Sequence, residues 1–406
     1  MAGEMDTVDS SIKTSPKRSQ EDVNTVLKYA KLETSDVRPC VQTIFFSENL
    51  ENDTVKLLEL DATVLDALQA GDRVTLRGDK DDHAVLCTKN QTFDMKDAEL
   101  SNSMLLLRHL DYGPDLPDSG PQEMRKREVF SVVHEYYELR PVKPKLRVLR
   151  QMLNENQYSG RECEEDDQHT GKKYTMSDFL NVVQASEEEI VAGLKRLKAL
   201  EIEGKWRVLD FDFMSTVMSN IVHLAEERDW ISTGVALHEC LEVLQDLFLR
   251  EVIIHVLKYY SIQTSDTNED SDVYLFDEDK VCQFYAEVCL RNSGKFNLSE
   301  FLQVWDESVP MGMKTSLTQI QGMALVDRDS NPETISFFPA DNLPEDVSGR
   351  FDYLFDTRKK WTLDEISPYV SDLTTPKMDV GALLTKYSRA SVQNGIKVFS
   401  SRRTIS

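Results

Sequence analysis

"KWTLDEISPYV", residues 360–370, is the third occurrence of one phrase in this chain. The earlier variants are "KYTMSDFLNVV" at residues 173–183 and "KFNLSEFLQVW" at residues 295–305. Each variant places a hydroxyl or amide residue three positions before an acid, which matches or closely resembles the capping box of a helix. The three pairs are Thr175 with Asp178, Asn297 with Glu300, and Thr362 with Glu365. The phrase therefore predicts an aromatic strand residue, a helix cap and an amphipathic helix.

The residues around each phrase predict the same further elements. A helix precedes the phrase, a third helix follows it, and a short strand pair, the wing, comes last. After the first phrase the third helix and wing are "SEEEIVAGLKRLKAL" and "EIEGKWRVLD"; after the second they are "TSLTQIQGMAL" and "ETISFFPA". After the third phrase they are "KMDVGALLTKYSR" and "NGIKVFSSRR". This order is typical of a winged helix. We predict three in tandem, at residues 123–210, 211–340 and 341–406.

The N-terminal part of the chain has a different periodicity. Residues 25–112 contain five or six short strand candidates separated by polar turns, a pattern typical of a small barrel or sandwich. Its open sheet edges need to be covered, which favours a partner-binding domain. Residues 1–24 are predicted to be a disordered tail and residues 113–122 a linker. The predicted fold class is therefore α+β and multidomain, with an N-terminal small β-barrel-like domain followed by three tandem winged-helix domains.

Several sequence features argue against an enzyme. The chain has no Gly-x-x-x-x-Gly-Lys-Ser/Thr phosphate loop, no Gly-x-Ser-x-Gly motif and no Cys/His catalytic spacing. "HEYYE" at residues 134–138 lacks the second His of a zinc site, and we predict a solvated helix face there. "DKDDH" at residues 79–83 begins like a calcium loop without completing one, and we predict a hairpin turn. We expect no catalytic residue, no cofactor and no metal.

Cysteine usage and hydropathy bear on the cellular location. Six cysteines without a Cys-x-x-Cys motif predict reduced thiols. No apolar run approaches the eighteen residues of a membrane span, and the acidic N-terminus does not resemble a signal peptide. We therefore expect no membrane partner and a location in the cytosol or nucleus.

Charge is distributed unevenly along the chain. The whole chain carries −24, whereas residues 376–406 contain six basic residues and one acid, a net charge of +5. A basic end on an acidic body predicts a local anionic partner such as DNA. The candidate DNA-binding residues are Lys377, Lys386, Arg389, Lys397, Arg402 and Arg403, with Arg358, Lys359 and Lys360 as additional basic contacts.

Three stretches resemble one known family. They are "LLELD" at residues 57–61, residues 76–107 from "LRGDK" to "SMLLL", and residues 343–373, "LPEDVSGRFDYLFDTRKKWTLDEISPYVSDL". They resemble the Dcc-type, defective-in-sister-chromatid-cohesion, subunit of the alternative chromosome-transmission-fidelity clamp loader, a complex similar to replication factor C. The resemblance covers about residues 25–403, and the Arg-Phe-Asp-Tyr-Leu-Phe run is its most specific part.

The resemblance implies a non-catalytic adaptor in the nucleus. Such a subunit binds the large and small chromosome-transmission-fidelity loader subunits through its N-terminal β domain, and the replication factor C small subunits indirectly. Its winged helices reach towards single- and double-stranded DNA and the catalytic subunit of DNA polymerase epsilon. The assembly loads the sliding clamp onto primed DNA, and it supports DNA replication and sister chromatid cohesion.

The competing interpretation is a free-standing winged-helix regulator of transcription or chromatin. The charge of the predicted third helices separates the two interpretations. The first opens with Glu187, Glu188 and Glu189, which phosphates would repel, and residues 315–326 contain no Lys or Arg. The last is basic but offers few base-reading side chains. This pattern favours the adaptor.

Overall fold

A computed structural model describes residues 19–33, 36, 40–78, 82–112, 123–164, 171–263, 273–375, 378–393 and 395–402. Over these ranges the chain forms fifteen α-helices and seventeen strands in several small sheets, so the predicted α+β class is confirmed. The chain divides into two compact units, Met1–Ala62 with Met95–Arg140, and Thr63–Asp94 with Pro141–Ser406. None of the helices in the described ranges is long and apolar enough to cross a membrane.

The described elements before residue 143 are mainly strands. They are α1 (Gln20–Ala30), β1 (Cys40–Phe46), β2 (Leu58–Glu59), α2 (Ala62–Ala70), β3 (Thr75–Arg77), β4 (Val85–Cys87), β5 (Thr92–Leu107) and β6 (Glu123–Val142). In the first unit, β1 and β2 both pair in parallel with β6, and the sheet runs in the order β1-β6-β5. The predicted linker, residues 113–122, lies outside the described residues.

Two elements of this first unit correct the sequence predictions. The "HEYYE" residues lie in strand β6 and not on a helix, because Val129, Ser131 and Val133 are buried at the period of two that a strand requires. Helix α1 begins inside the predicted tail, where Ser19 and Asp22 form a reciprocal capping box. The polar composition of residues 1–24 predicts no regular structure, but the capping box of Ser19 and Asp22 stabilises the start of a helix at residue 20.

Residues 63–94 belong to the second unit. Strands β3 and β4 pair in antiparallel orientation from Thr75↔Cys87 to Arg77↔Val85, on either side of the hairpin turn predicted at residues 79–83. Residues 79–81 themselves lie outside the described ranges. Strand β4 also pairs with the first residues of β5.

The remaining elements alternate between helices and short hairpins. They are α3 (Arg147–Asn154), α4 (Arg161–Glu164), α5 (Met176–Val182), α6 (Glu187–Arg196), β7 (Ala199–Ile202), β8 (Lys205–Val208), α7 (Phe211–Glu227), α8 (Trp230–Thr233), β9 (Val235–Ala236), α9 (Leu237–Leu244), α10 (Arg250–Tyr260), β10 (Ser261–Gln263), β11 (Val273–Phe276), α11 (Glu278–Arg291), β12 (Lys295–Asn297), α12 (Leu298–Ser308), β13 (Ala324–Asp327), β14 (Thr334–Phe337), α13 (Val347–Thr357), β15 (Trp361–Thr362), α14 (Leu363–Val370), α15 (Val380–Tyr387), β16 (Ser388–Gln393) and β17 (Ile396–Ser401).

These elements repeat one order four times. We define segment 1 as residues 147–208, segment 2 as 211–276, segment 3 as 278–337 and segment 4 as 347–401. Each has a first helix, a short strand or bridge, a second helix, a third helical element and a hairpin. The first strands β9, β12 and β15 each pair with the last hairpin strand, and Tyr174 forms the corresponding bridge to Trp206 in segment 1.

An apolar core surrounds the second helix of each segment, and the core around segment 2 also includes Leu200 of segment 1 and Phe284 of segment 3. Phe179 is fully buried in segment 1, Leu241 is buried in segment 2, and Phe301 and Ile366 are fully buried in segments 3 and 4. The predicted caps begin these helices: the pairs Thr175 with Asp178 and Thr362 with Glu365 are reciprocal boxes. Asn297 accepts hydrogen bonds from the backbone N–H groups of Ser299 and Glu300.

The predicted third helix after the second phrase is wrong in length. Of "TSLTQIQGMAL", only Leu317–Ile320 is helical, as a single 3-10 turn. Gly322 then adopts a left-handed conformation with φ of 78°, and a Cβ there would lie 3.1 Å from Pro368 Cβ. The chain leaves the helical conformation at Gln321, whose φ of −60° and ψ of 133° are extended, and the close approach of α14 leaves little room for a side chain at position 322.

Candidate nucleic-acid interface

In a winged helix, the third helix and the wing are the elements that meet DNA. The third helix of segment 1, α6, is covered at its N-terminal turn. The backbone N–H of Ser186 donates to Thr92 Oγ1 at 2.9 Å, and Thr92 Oγ1 donates to Glu189 Oε2 at 2.5 Å. The N–H of Glu188 donates to the carbonyl of Lys89 at 3.2 Å. Ser186 and Thr92 are fully buried, so residues 89–92 occupy the end of α6 that would approach a ligand.

The third helix of segment 2, α10, packs against the start of the segment 1 hairpin. Lys198 Nζ lies 4.6 Å from the ring centroid of Tyr259 and donates a 3.2 Å hydrogen bond to the Tyr260 hydroxyl. His255 Nε2 lies 3.0 Å from the carbonyl oxygen of Lys198. Burial lowers the pKa of both Lys198 and His255. The preceding wing therefore occupies this surface of α10.

The 3-10 turn of segment 3 is also held from within the chain. Ile320 is buried, and Gln319 Nε2 donates to Asp279 Oδ1 on α11 at 2.9 Å. Next to this turn, Tyr369 of segment 4 donates its hydroxyl to the carbonyl of Ala324 at 3.0 Å. The third element of segment 3 is too short and too enclosed to enter a DNA groove.

The third helix of segment 4, α15, presents an open face. Leu383 and Leu384 are buried in the core of segment 4, whereas Ala382, Thr385 and Lys386 are exposed. Lys386 Nζ lies 5.3 Å from the Tyr387 ring centroid, and within the described ranges it makes no ion pair. This helix therefore carries an available cation at its C-terminal end.

Strand pairing places the basic residues of the last wing. Arg389 pairs with Ser400, and Lys397 pairs with Val392. Val392 is three residues after Arg389 on the same strand. Successive side chains alternate across a sheet, so Arg389 and Lys397 lie on opposite faces of the hairpin. Trp361 pairs with Phe399, which places Lys360, the residue before it, level with Ser400 and on the opposite side of β17 from Arg389.

Two of the predicted DNA-binding arginines are engaged within the chain. Arg402 donates from Nε to the Ser388 carbonyl at 3.0 Å and from Nη2 to the Thr385 carbonyl at 2.6 Å. These carbonyls lie at the C-terminal end of α15, where a cation offsets the helix dipole. Arg358 donates to Glu365 Oε1 at 3.0 Å and to the Val326 carbonyl at 2.8 Å.

The other predicted residues are exposed or lie beyond the described ranges. Lys359, Lys360, Arg389 and Lys397 are exposed and form no ion pair within the part of the chain that the structure describes. Lys397 Nζ lies 5.4 Å from the ring centroid of Phe399. Lys377 and Arg403 lie outside the described residues. The open cations are therefore Lys359, Lys360, Lys386, Arg389 and Lys397.

Sequence reasoning missed one residue that supports this interface. Arg350, in the Arg-Phe-Asp-Tyr-Leu-Phe run, is only 3% exposed. It donates to the carbonyls of Pro344 and Tyr369 at 2.6 and 2.9 Å, and to Asp372 Oδ1 at 2.8 Å. It thereby joins α13 to the end of α14. The sequence indicates this role only by placing an arginine next to the apolar residues that form the buried face of the predicted helix.

A cavity of about 750 Å³ lies elsewhere in the second unit, between segments 1, 2 and 3. Lys198, Arg196 and Arg291 line it together with Glu287 and Asp341, so its charges are mixed. Burial raises the pKa of Glu287. In the described ranges, no group of three or more His, Cys, Asp or Glu side chains is placed to hold a metal ion. The exposed cations of segment 4 therefore remain the better candidate site for an anionic partner.

Comparison with known proteins places this architecture in a family. A family model described as "Sister chromatid cohesion protein Dcc1" matches residues 55–370. The Sister chromatid cohesion protein DCC1 of Mus musculus is 43% identical over 395 residues, covering 96% of this chain and 98% of that protein. That of Homo sapiens is 41% identical over 399 residues, covering 96% of this chain and 100% of that protein. The Saccharomyces cerevisiae protein of the same name is 23% identical over 372 residues, covering 82% and 93%.

The family model ends before α15, so the match itself does not include most of the basic end. The relatives nevertheless align with nearly the whole chain, and the resemblance expected from the sequence is confirmed. This chain belongs to the Dcc1 family of sister chromatid cohesion proteins.

Proposed function

We propose that this protein is a non-catalytic adaptor of an alternative clamp loader. In this role it joins the large and small chromosome-transmission-fidelity subunits to DNA and to the catalytic subunit of polymerase epsilon, while ATP is hydrolysed by other subunits. The complex loads the sliding clamp in the nucleus and supports replication and sister chromatid cohesion. Membership of the Dcc1 family supports this proposal.

We further propose that segments 1 to 4 are winged helices and that the N-terminal strands form a partner-binding β domain. The helix, strand, helix, helix and hairpin order of each segment supports the first assignment. For the second, β1 ends the order β1-β6-β5 and exposes Ile44, Phe45 and Phe46 by 51, 41 and 58%. A strand edge that is apolar on both faces favours pairing with another chain.

The observation that carries the DNA part of the proposal is the availability of α15 and its wing. The third elements of segments 1, 2 and 3 are each partly covered by intramolecular contacts, whereas the exposed residues of α15 and its hairpin include Lys386, Arg389 and Lys397. A free-standing regulator would read bases with an available third helix. In the described ranges α6 and α10 are partly covered and still expose cations such as Lys195 and Lys258, whereas α15 carries the single cation Lys386, so the contacts it offers position a partner without reading sequence.

Affinity purification of the tagged full chain from nuclear extract tests the proposal. We expect loader subunits and polymerase epsilon to copurify, and deletion of residues 40–46 to remove the loader subunits. Recovery of transcription factors without loader subunits would contradict the adaptor. The purified chain should hydrolyse no ATP, alone or with DNA, and turnover that persists through stringent purification would contradict the non-catalytic role.

A further inference from the structure

The tip of the last wing exposes two aliphatic side chains. Val392 is 72% exposed and Ile396 is 57% exposed. Between them Gly395 turns the chain with φ of 79°. Val392 pairs with Lys397, and Ile396 pairs with Gln393, the residue that directly follows Val392. The two aliphatic side chains therefore project from opposite faces of the hairpin, and the tip is apolar on both.

The surroundings of this tip are cationic. Residues 380–406 contain no Asp or Glu, in a chain whose net charge is −24. Lys397 lies directly across the hairpin from Val392, and Arg389 and Lys386 are exposed nearer its base. An apolar tip between cations is complementary to nucleic acid, where the flat apolar faces of bases lie between lines of phosphates.

We propose that Val392 and Ile396 contact the faces of bases that are already unpaired or terminal, so that this wing prefers DNA with open bases over continuous duplex. The proposal rests on the DNA contact of segment 4 described above. Two aliphatic side chains bury little apolar surface, which is not enough to separate an intact base step. A base that is already open requires no unstacking, and the same contact becomes favourable there.

The test compares two DNAs with equal numbers of phosphates. One is a covalently closed circular duplex, which has neither ends nor unpaired loop bases, and the other is a circle with the same phosphate count that contains a single-stranded gap. We expect the full chain to bind the gapped DNA about tenfold more tightly, a difference of about 1.4 kcal/mol. The double variant Val392→Ser with Ile396→Ser should reduce that ratio to within about twofold and leave the salt dependence unchanged.

Matched controls separate the outcomes. Val243→Ser with Ile262→Ser removes two exposed aliphatic residues of segment 2 and should keep the ratio. Lys386→Ala with Arg389→Ala should weaken binding to both DNAs equally. Equal affinity of the wild type for both DNAs, or an unchanged ratio in the tip variant, overturns the inference. Loss of polymerase binding by a tip variant with an unchanged ratio also overturns it, in favour of a protein partner. No binding to either DNA at low salt instead overturns the proposed function.

Discussion

The triple variant Lys386→Ala, Arg389→Ala and Lys397→Ala tests the DNA interface most directly. The three side chains are exposed, and they form no ion pair in the described part of the chain. Removing exposed charges changes the free energy of unfolding by about 0.5 kcal/mol or less each. The variant should therefore stay folded, and its loss of affinity should report on phosphate contacts.

The expected magnitude follows from the count of open cations. If Lys359, Lys360, Lys386, Arg389 and Lys397 each neutralise one phosphate, the slope of log affinity against log salt is about −4.5. Between roughly 50 and 200 mM salt the wild-type affinity should then fall about 500-fold. The triple variant keeps two contacts, so its slope should be about −1.8 and its affinity should fall only about 12-fold.

Fluorescence anisotropy of a labelled duplex at four or five salt concentrations measures these slopes. The matched control is Arg250→Ala, Lys258→Ala and Lys295→Ala, which removes the same three charges from exposed positions on segments 2 and 3. We expect the control to retain the wild-type slope to within about 0.5, since its residues lie on other segments. A triple variant with the wild-type slope and affinity would falsify the assignment of the interface.

Three further predictions concern engaged side chains. Arg402→Ala should change the salt slope by less than about 0.3, because its guanidinium donates to the Ser388 and Thr385 carbonyls, whereas Arg389→Ala should lower it by about 0.9; equal changes would contradict this distinction. Arg350→Met should lower the free energy of unfolding of segment 4 by about 3 kcal/mol, because buried acceptors lose their donor; unchanged denaturant melting would refute this role. The Arg207 guanidinium lowers the pKa of Glu164 from 4.5 to about 2, so its contribution is present above pH 4.5 and lost as the pH falls towards 2. Glu164→Gln should therefore flatten the decline of melting temperature over this range, and a decline as steep as in wild type would count against it.

The caps explain why much of the helical region could be predicted from the sequence. Thr175 and Thr362 each combine a side-chain hydroxyl with an acid three residues later, and the structure begins a helix at both. The corresponding helix of segment 2, α9, begins after Ala236, which has no side chain able to cap it. Segment 2 therefore lacks the phrase, which occurs three times, whereas the order of helices and hairpin occurs four times in the described ranges.

Other differences have tertiary causes that a local pattern does not contain. The apolar spacing of residues 315–325 favours a helix, but the chain becomes extended at Gln321 after one turn and is left-handed at Gly322, which lies against Pro368. His134 and Glu135 look helical by motif, yet alternate burial along β6 makes the region a strand. In the candidate site, charge located the basic segment, whereas the engagement of Arg402 and Arg358 depends on carbonyls that the fold brings close.

The packing of α10 on the preceding wing has a consequence for biosynthesis. Lys198, immediately before the hairpin of segment 1, contacts Tyr260 of segment 2, so the native packing of α10 includes the preceding segment. Likewise Tyr369 and Arg358 of segment 4 bond to the carbonyls of Ala324 and Val326, which β13 of segment 3 must first position. During synthesis the N-terminal segments leave the ribosome first, so each segment emerges after the one that it contacts. Each of these contacts therefore joins a segment to the one synthesised before it, an order compatible with folding from the N-terminus during synthesis.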